Sequence, residues 1–195
     1  MNQKYIGFLI TILALMWLAF RAMSDPASTL KMFASEPSIQ GPAEFQKVIH
    51  NSLGLIEGKS PANYQEICKY VTEVRYDSSP PTENVACWVE PGTGEGIIHV
   101  NSGAFDKVYT SNSVSDELKQ YLMPCWLCHE TRHLTQISTY GAGAGSLEKE
   151  SGALDAEKEF MQNAGASPDM TNTIAGAYQL QTRWWERVNK STQRH

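Results

Sequence analysis

Nine consecutive residues in the second half of the chain, Cys125 to His133, contain two overlapping patterns that could do chemistry. The pattern His129-Glu130-x-x-His133 is typical of a helix that binds zinc and carries its own general base. The pattern Cys125-x-x-Cys128-His129 is typical of the attachment site of a c-type haem. Both patterns need His129 as a ligand, so the two interpretations exclude each other.

The zinc interpretation depends on helical geometry. Side chains four residues apart on an α-helix differ by about 40° in direction, so His129 and His133 share one face. Two imidazoles placed in this way can hold one Zn²⁺ at about 2.0–2.1 Å each. Glu130 lies beside them and can take a proton from a zinc-bound water, whose pKa the metal lowers to about 7. A catalytic zinc also needs a third protein ligand and an open position.

An acidic stretch after this helix offers the third ligand. Residues 146–163 are predicted to form a helix on which Glu150 and Glu157 share a face. We expect Glu150 to be the third ligand and Glu157 to hold one of the imidazoles in orientation from outside. Glu148 and Asp155 remain alternatives for the third ligand.

These residues resemble the zincin metallopeptidases, of the type whose third ligand is a glutamate on a helix after the His-Glu-x-x-His helix. The resemblance rests on His129 to Gln136 and on Glu150-x-x-Ala153-x-x-x-Glu157, and it extends over about residues 85–165. It implies hydrolysis of a peptide or protein substrate by a water that one zinc ion activates, with Glu130 as the general base.

The resemblance also implies how substrate is bound. In that family an edge strand before the active-site helix pairs with the extended substrate, and Gly96–Asn101 is expected to be that strand here. A Tyr, His or Arg side chain stabilises the tetrahedral intermediate in the family. Tyr140, His99 and Arg183 are the candidates for this role.

The alternative function is electron transfer by a haem c. Cys125 and Cys128 would hold the haem covalently and His129 would be an axial ligand, with a methionine or a second histidine on the other side. This hypothesis leaves Glu130 and His133 without a role. A redox-active Cys-x-x-Cys is a further possibility, but the strand of a βαβ unit that normally precedes it is not predicted. A non-catalytic metal-binding domain is the remaining alternative.

The first 23 residues differ in kind from the rest. An apolar run covers residues 5–20, between Lys4 and Arg21, and is near the minimum length for a membrane-spanning helix. We expect residues 1–23 to be an uncleaved single-pass anchor in the inner or plasma membrane; Ala22-Met23-Ser24 is also compatible with a removed signal peptide. Lys4 favours an N-terminus on the inside, so the remainder would be periplasmic or extracellular, and secreted if the segment is cleaved.

The composition and the net charge indicate the class of protein and the kind of partner. Hydrophobic residues make up 42% of the chain and charged residues 19%, which indicates a globular protein rather than a disordered one. A net charge of −5 without a basic stripe argues against nucleic-acid binding. Four cysteines in an exported domain fit two disulfides, with Cys68–Cys87 and Cys125–Cys128 as the candidate pairs.

The predicted fold is α+β: a mainly helical zincin-like domain with a small β-hairpin, over residues 42–195, after a linker at residues 24–41 and the N-terminal membrane or signal helix. Pro124 is expected to kink or restart the central helix, so that the helix with the two histidines begins near it. The predicted helices are Pro42–Ile56, Pro61–Val74, Ser113–Ile137, Ser146–Asn163 and Pro168–Val188, and the predicted strands are Val85–Val89 and Gly96–Asn101.

Overall fold

The computed structural model describes residues 35–81, 85–90, 96–112, 114–140 and 146–174, with the side chains of residues 138–140 and 146–148 left aside. The chain divides into two compact units, Met1–Ser35 and Glu36–His195, and the elements described below belong to the second. The predicted anchor at residues 1–23 lies outside the described residues. Within the part that is described, no helix is long and apolar enough to cross a membrane.

This second unit is mostly helical, with a small mixed sheet, which confirms the coarse fold prediction. In chain order its elements are β1 (Ser38–Gln40), α1 (Ala43–Lys59), α2 (Pro61–Tyr70), β2 (Glu73–Asp77), β3 (Cys87–Val89), β4 (Ile97–Asn101), α3 (Ser102–Phe105), a π-helical turn (Asp106–Thr110), α4 (Asp116–Tyr140) and α5 (Ser146–Ala164). Residues 168–174 are also helical. Ser167 caps the start of this segment, since its Oγ accepts a hydrogen bond from the Met170 N–H at 3.2 Å.

The sheet has four strands in the order β1-β2-β4-β3. β1 and β2 are parallel, and so are β2 and β4, whereas β3 is antiparallel to β4. The β3–β4 pair is the predicted hairpin. However, β4 lies between β2 and β3, so the prediction that Gly96–Asn101 is an edge strand is wrong. The edge position next to β4 is occupied by β3.

β2 was not predicted, because its residues also fit a helical pattern. The helix α2 ends at Tyr70, and Val71 already has an extended backbone with φ −101° and ψ 121°. Val74, which we expected on the face of that helix, pairs in register with Ile98 of β4 and is buried. β1 was likewise assigned to the linker; its three residues pair with β2. Both strands form because they pair with residues that are distant in sequence. The spacing of apolar residues within a short segment carries no information about such pairing.

The hydrophobic core lies between one face of the sheet and the helices. Ile98 and Val100 point to this face because side chains alternate along a strand. The core helices contribute fully buried side chains, namely Phe45, Ile49, Leu53 and Ile56 from α1, Met123 and Leu127 from α4, and Phe160 and Met161 from α5. This packing holds α4 against the sheet and α5 against α4 and α1, and α4 and α5 carry the residues discussed next.

The helix α4 runs through Pro124 without restarting there, so the predicted restart is wrong, whereas the predicted kink stays a prediction. The hydroxyl of Tyr109 accepts a hydrogen bond from the Met123 N–H at 2.9 Å and donates one to the Lys119 carbonyl at 3.0 Å. In a regular helix these two backbone groups would bond to each other. The phenol is therefore inserted into the backbone ladder in the turn before Pro124, whose ring would otherwise clash with the preceding turn.

Candidate metal site

Three residues from two helices converge on one point. His129 and His133 come from adjacent turns of α4, and Glu150 comes from the first part of α5; each offers a ligand atom, and these atoms lie within 4.8 Å of one another. The two Nε2 atoms are 3.0 Å apart. The Glu150 carboxylate lies 3.5 Å from Nε2 of His129 and 3.4 Å from Nε2 of His133. The three residues that we expected to act as ligands are thus brought together.

The spacing of these atoms suits a small metal ion. Ligand atoms about 2.0–2.1 Å from a tetrahedral ion lie roughly 3.3 Å from one another. The two nitrogens are 3.0 Å apart, and they lie 3.5 and 3.4 Å from Oε2 and Oε1 of Glu150, respectively, which are separations close to this value. His129, His133 and Glu150 therefore form a candidate metal site that needs little rearrangement to close around an ion.

The other ring nitrogen of His129 faces a buried carboxylate. Nδ1 of His129 lies 2.6 Å from Oε1 of Glu157, and the side chains of both residues are buried. The contact is an ion pair at short range. The negative charge of Glu157 attracts the ring proton to Nδ1 and leaves the lone pair on Nε2. Glu157 therefore lies next to His129, where its predicted role of orienting the imidazole would require it, and that role stays a prediction.

The other ring nitrogen of His133 faces an amide. Nδ1 of His133 lies 3.2 Å from Oε1 of Gln136, which follows it on the same helix. The amide nitrogen of Gln136 donates a hydrogen bond to the backbone carbonyl of Lys149 at 3.0 Å. Both Nδ1 atoms of the site are therefore engaged from outside, and both Nε2 atoms are left to face Glu150.

Positive charge is favoured at the centre of this cluster. Burial by itself would lower the pKa of His129, but its contacts with Glu150 and Glu157 raise that pKa to about 10. Burial and the charge on His129 together lower the pKa of His133. A proton on His129 thus offsets the repulsion between the converging lone pairs when no metal is bound, and a metal ion would have to displace it.

Glu130 lies beside the cluster rather than in it. Its direction on α4 differs from that of His129 by about 100°, towards the sheet, where its charge contributes to the raised pKa of Cys87. Only 5% of Glu130 is exposed to solvent. Burial and the nearby carboxylates of Glu150 and Glu157 raise its pKa to about 7, although the charge of His129 acts in the opposite direction.

The alternative third ligands do not join the site. The side chain of Asp155 is 72% exposed and lies 3.9 Å from the Lys158 ammonium, away from the two imidazoles. The side chain of Glu148 lies outside the described residues. Glu150 is therefore the carboxylate that the structure brings to the histidines.

Of the three side chains considered for stabilising an intermediate, only His99 is described. It points to the face of β4 opposite Ile98 and Val100, where its ring stacks on Trp88 at 4.9 Å. Its Nδ1 lies 2.9 Å from an oxygen of Asp77. This position, on the side of the sheet that faces away from α4, excludes His99 from the cluster. Arg183 and the side chain of Tyr140 lie outside the described residues.

No disulfide joins the four cysteines in the structure. Cys125 and Cys128 are in the interior of α4, with 0% and 2% of their surfaces exposed, and burial raises the pKa of both thiols. Cys87 is also buried, whereas Cys68 is partly exposed. The predicted disulfides Cys68–Cys87 and Cys125–Cys128 are not formed in this structure, and their formation stays a prediction.

Two residues with a clear role in the local geometry were not singled out from the sequence. Gln136 carries a weak signal, because it follows His133 by three residues and such pairs are neighbours on a helix. Tyr109 carries none, since its contact with α4 spans 14 residues to Met123 and depends on the fold.

No protein-family model matches the chain, and no curated protein or solved structure matches it either. The function of the site is therefore inferred from its own residues and their geometry.

Proposed function

We propose that this chain is a zinc metallopeptidase of the zincin type, which hydrolyses peptide bonds in a peptide or protein substrate. The observation that carries the proposal is the arrangement of the two imidazoles. Their Nδ1 atoms are held by Glu157 and Gln136, so that both Nε2 atoms face the Glu150 carboxylate at 3.5 and 3.4 Å. Two histidines and one glutamate are a ligand set of catalytic zinc sites.

Each residue of the site would have a defined task. His129, His133 and Glu150 would hold the ion, which when bound supplies a water of lowered pKa and polarises the substrate carbonyl. Glu130, which directly follows His129 and is buried, would accept the proton of the attacking water and deliver it to the departing amine. The burial of Glu130 keeps bulk water away from this carboxylate and strengthens its electrostatic interactions.

Substrate binding is assigned to the edge strand β3, in place of β4. The Asn101 N–H donates to the Ala86 carbonyl at 2.8 Å, so hydrogen-bonded and non-hydrogen-bonded pairs alternate from there along β3. The backbone groups of Cys87 and Val89, which form the non-hydrogen-bonded pairs with β4, consequently point to the outer side of the sheet. These groups would pair with an extended peptide.

The haem alternative is disfavoured by burial. Covalent attachment would require the thiols of Cys125 and Cys128 to reach a porphyrin, yet both lie in the hydrophobic core. His129, the residue that would bind the haem iron, is already enclosed between Glu150 and Glu157. A small ion fits this environment without displacing the core, whereas a porphyrin does not.

The cellular location follows from the sequence. The apolar run at residues 5–20 supports an N-terminal anchor in the inner or plasma membrane, with the domain on the exported side. The net charge of −5 supports a peptide or protein partner over a nucleic acid.

Cleavage of a peptide library by the purified full-length chain, loaded with zinc, tests the proposal. We expect the wild type to cut a subset of peptides and Glu130→Gln to reduce the rate by about 10²–10⁴-fold. A matched control is Glu159→Gln, which changes an exposed carboxylate on α5 and should leave the rate unchanged. Zinc binding without cleavage of any peptide would refute the peptidase and favour a non-catalytic metal-binding domain. Equal rates for wild type and Glu130→Gln would refute the role of Glu130.

A further inference from the structure

Gln136 connects one of the histidines to the helix that carries the glutamate. Its amide lies between Nδ1 of His133, at 3.2 Å, and the carbonyl of Lys149, at 3.0 Å. We propose that Gln136 is a positioning residue of the metal centre, which orients the ring of His133 and sets the distance between α4 and α5 at Glu150. This inference rests on the proposed metal site and identifies a residue that makes the site rigid.

The orientation of the amide follows from its neighbours. A backbone carbonyl only accepts hydrogen bonds, so the group of Gln136 that faces Lys149 must be the NH₂. The amide oxygen is then the atom that faces His133, and since an amide oxygen only accepts, Nδ1 of His133 must carry the hydrogen. The neutral ring therefore has its lone pair on Nε2, the atom directed at Glu150. One amide selects the ring form of His133 that can bind a metal ion.

The second bond of the amide acts on the third ligand. Lys149 directly precedes Glu150 in the first part of α5, so a hydrogen bond to the Lys149 carbonyl acts on the backbone next to the third ligand. By bonding the Lys149 carbonyl, Gln136 links the position of that backbone to the helix α4. The separation between the His133 ring and the Glu150 carboxylate is thereby set from both sides.

The position of the Gln136 amide depends on the absence of a side chain at Gly152. A Cβ atom at this position would lie 2.6 Å from the amide nitrogen of Gln136 and 3.9 Å from its amide carbon. The first distance is shorter than any van der Waals contact, so a methyl group there would push the amide out of its place. Because a glutamine side chain is flexible, the displacement should affect the amide more than the packing of the two helices.

These contacts define two independent variants, each with a matched control. Gln136→Leu removes both hydrogen bonds, and Gln120→Leu makes the same change at an exposed position of α4. Gly152→Ala displaces the amide and leaves Gln136 itself intact. Gly58→Ala is its control, since a Cβ at that position in α1 has nothing within 4 Å.

The first measurement is the dissociation constant of zinc, by competition with a chromophoric chelator on the full-length chain, with only the metal added. We expect both Gln136→Leu and Gly152→Ala to weaken zinc binding by about 10–100-fold, the usual effect of losing a residue that orients a metal ligand. Gln120→Leu and Gly58→Ala should bind zinc as the wild type does.

The second measurement separates orientation from folding. Nitrogen–proton correlation spectra of the zinc-loaded chain should detect a hydrogen-bonded proton on Nδ1 of His133 in the wild type. This signal should be lost in Gln136→Leu by exchange with water, and retained in Gln136→Glu, because a carboxylate still accepts from Nδ1. Thermal unfolding of the metal-free variants identifies any that fail to fold.

The possible outcomes distinguish this inference from the proposed function. If the wild type binds zinc and folded Gln136→Leu and Gly152→Ala bind it equally tightly, Gln136 is not a positioning residue and the metal site itself stands. An unchanged Nδ1 signal in Gln136→Leu would also overturn the inference. If the wild type binds no zinc, the proposed function fails and this inference fails with it.

Discussion

The Nε2 atoms of His129 and His133 lie 3.0 Å apart in the structure. Two neutral imidazoles would not place their lone pairs at this distance without a proton or a cation between them. The surrounding groups, Glu157 on one ring and Gln136 on the other, maintain the arrangement from outside. The fold thus holds the two ring nitrogens at a distance that requires a cation between them, either the proton on His129 or a bound metal ion.

The stability of the metal-free protein should depend on pH through Glu130. Burial raises its pKa from the ordinary value of 4.5 to about 7 in the folded state, so between these values the unfolded chain ionises while the folded chain does not. The stability that a neutral Glu130 provides is complete below the lower value and is lost as pH rises through the upper one. A pKa difference of this size corresponds to at most about 3 kcal/mol.

Glu130→Gln removes this dependence because an amide does not ionise. We expect the metal-free variant to equal the wild type in stability near pH 4.5 and to exceed it by up to about 3 kcal/mol near pH 8. Urea unfolding at the two pH values measures the difference, with Glu159→Gln as the control for loss of an exposed carboxylate. If the variant is less stable than the wild type at the higher pH, burial does not disfavour the ionised form of Glu130, and the raised pKa is wrong.

Removal of the Tyr109 hydroxyl should destabilise the fold. In Tyr109→Phe the Met123 N–H and the Lys119 carbonyl lose their buried partner, at a cost of about 1–3 kcal/mol. Pro124, which directly follows Met123, is the reason that the Met123 N–H and the Lys119 carbonyl do not bond to each other. The cost should therefore be smaller when Pro124→Ala is also present, because the helix can then close its ladder.

A double-mutant cycle of these two substitutions, followed by denaturant unfolding, measures the coupling. Tyr121→Phe, on α4 itself, is the control for loss of a phenol hydroxyl. Additive effects of Tyr109→Phe and Pro124→Ala would contradict the explanation given for the continuity of α4.

The assignment of substrate binding to β3 predicts the effect of a proline. Val89→Pro removes an N–H that points away from β4, so the strand should keep its pairing while a substrate peptide loses one hydrogen bond. We expect KM to rise by about 2- to 10-fold with little change in kcat. Val89→Thr is the control, since it retains the N–H.

Steady-state kinetics on a peptide found in the library screen gives both constants. An unchanged KM for Val89→Pro, with the sheet intact by circular dichroism, would exclude β3 as the strand that pairs with substrate.

The candidate site was predictable because its key distances are local. The spacing of His129 and His133 fixes their common face on any helix, and the acidic residues of α5 follow after a short connection. The same argument placed Glu157 near the site, and the structure brings it to the Nδ1 atom of His129. Only the structure shows that Glu150, and not Asp155, lies next to the two histidines, since the sequence does not determine how α5 is rotated against α4.

The parts that were not predicted depend on contacts between distant residues. Val74 fits a helical face as well as a strand, and its pairing with Ile98 decides for the strand. In a helix considered alone, Pro124 predicts a break. Here the hydroxyl of Tyr109, from the π-helical turn before α4, provides hydrogen-bond partners for the two backbone groups that are not bonded to each other. The position of β4 inside the sheet follows from the parallel strand β2, which local patterns do not reveal.

The zinc K-edge X-ray absorption spectrum of the loaded, full-length chain tests the central claim most directly. The account predicts one zinc per chain with nitrogen and oxygen neighbours at about 2.0–2.1 Å and imidazole scattering beyond them, all lost in His133→Ala. A spectrum dominated by sulfur at about 2.3 Å would place the metal on the cysteines instead. That result, or a purified chain that retains no zinc at all, would contradict the account.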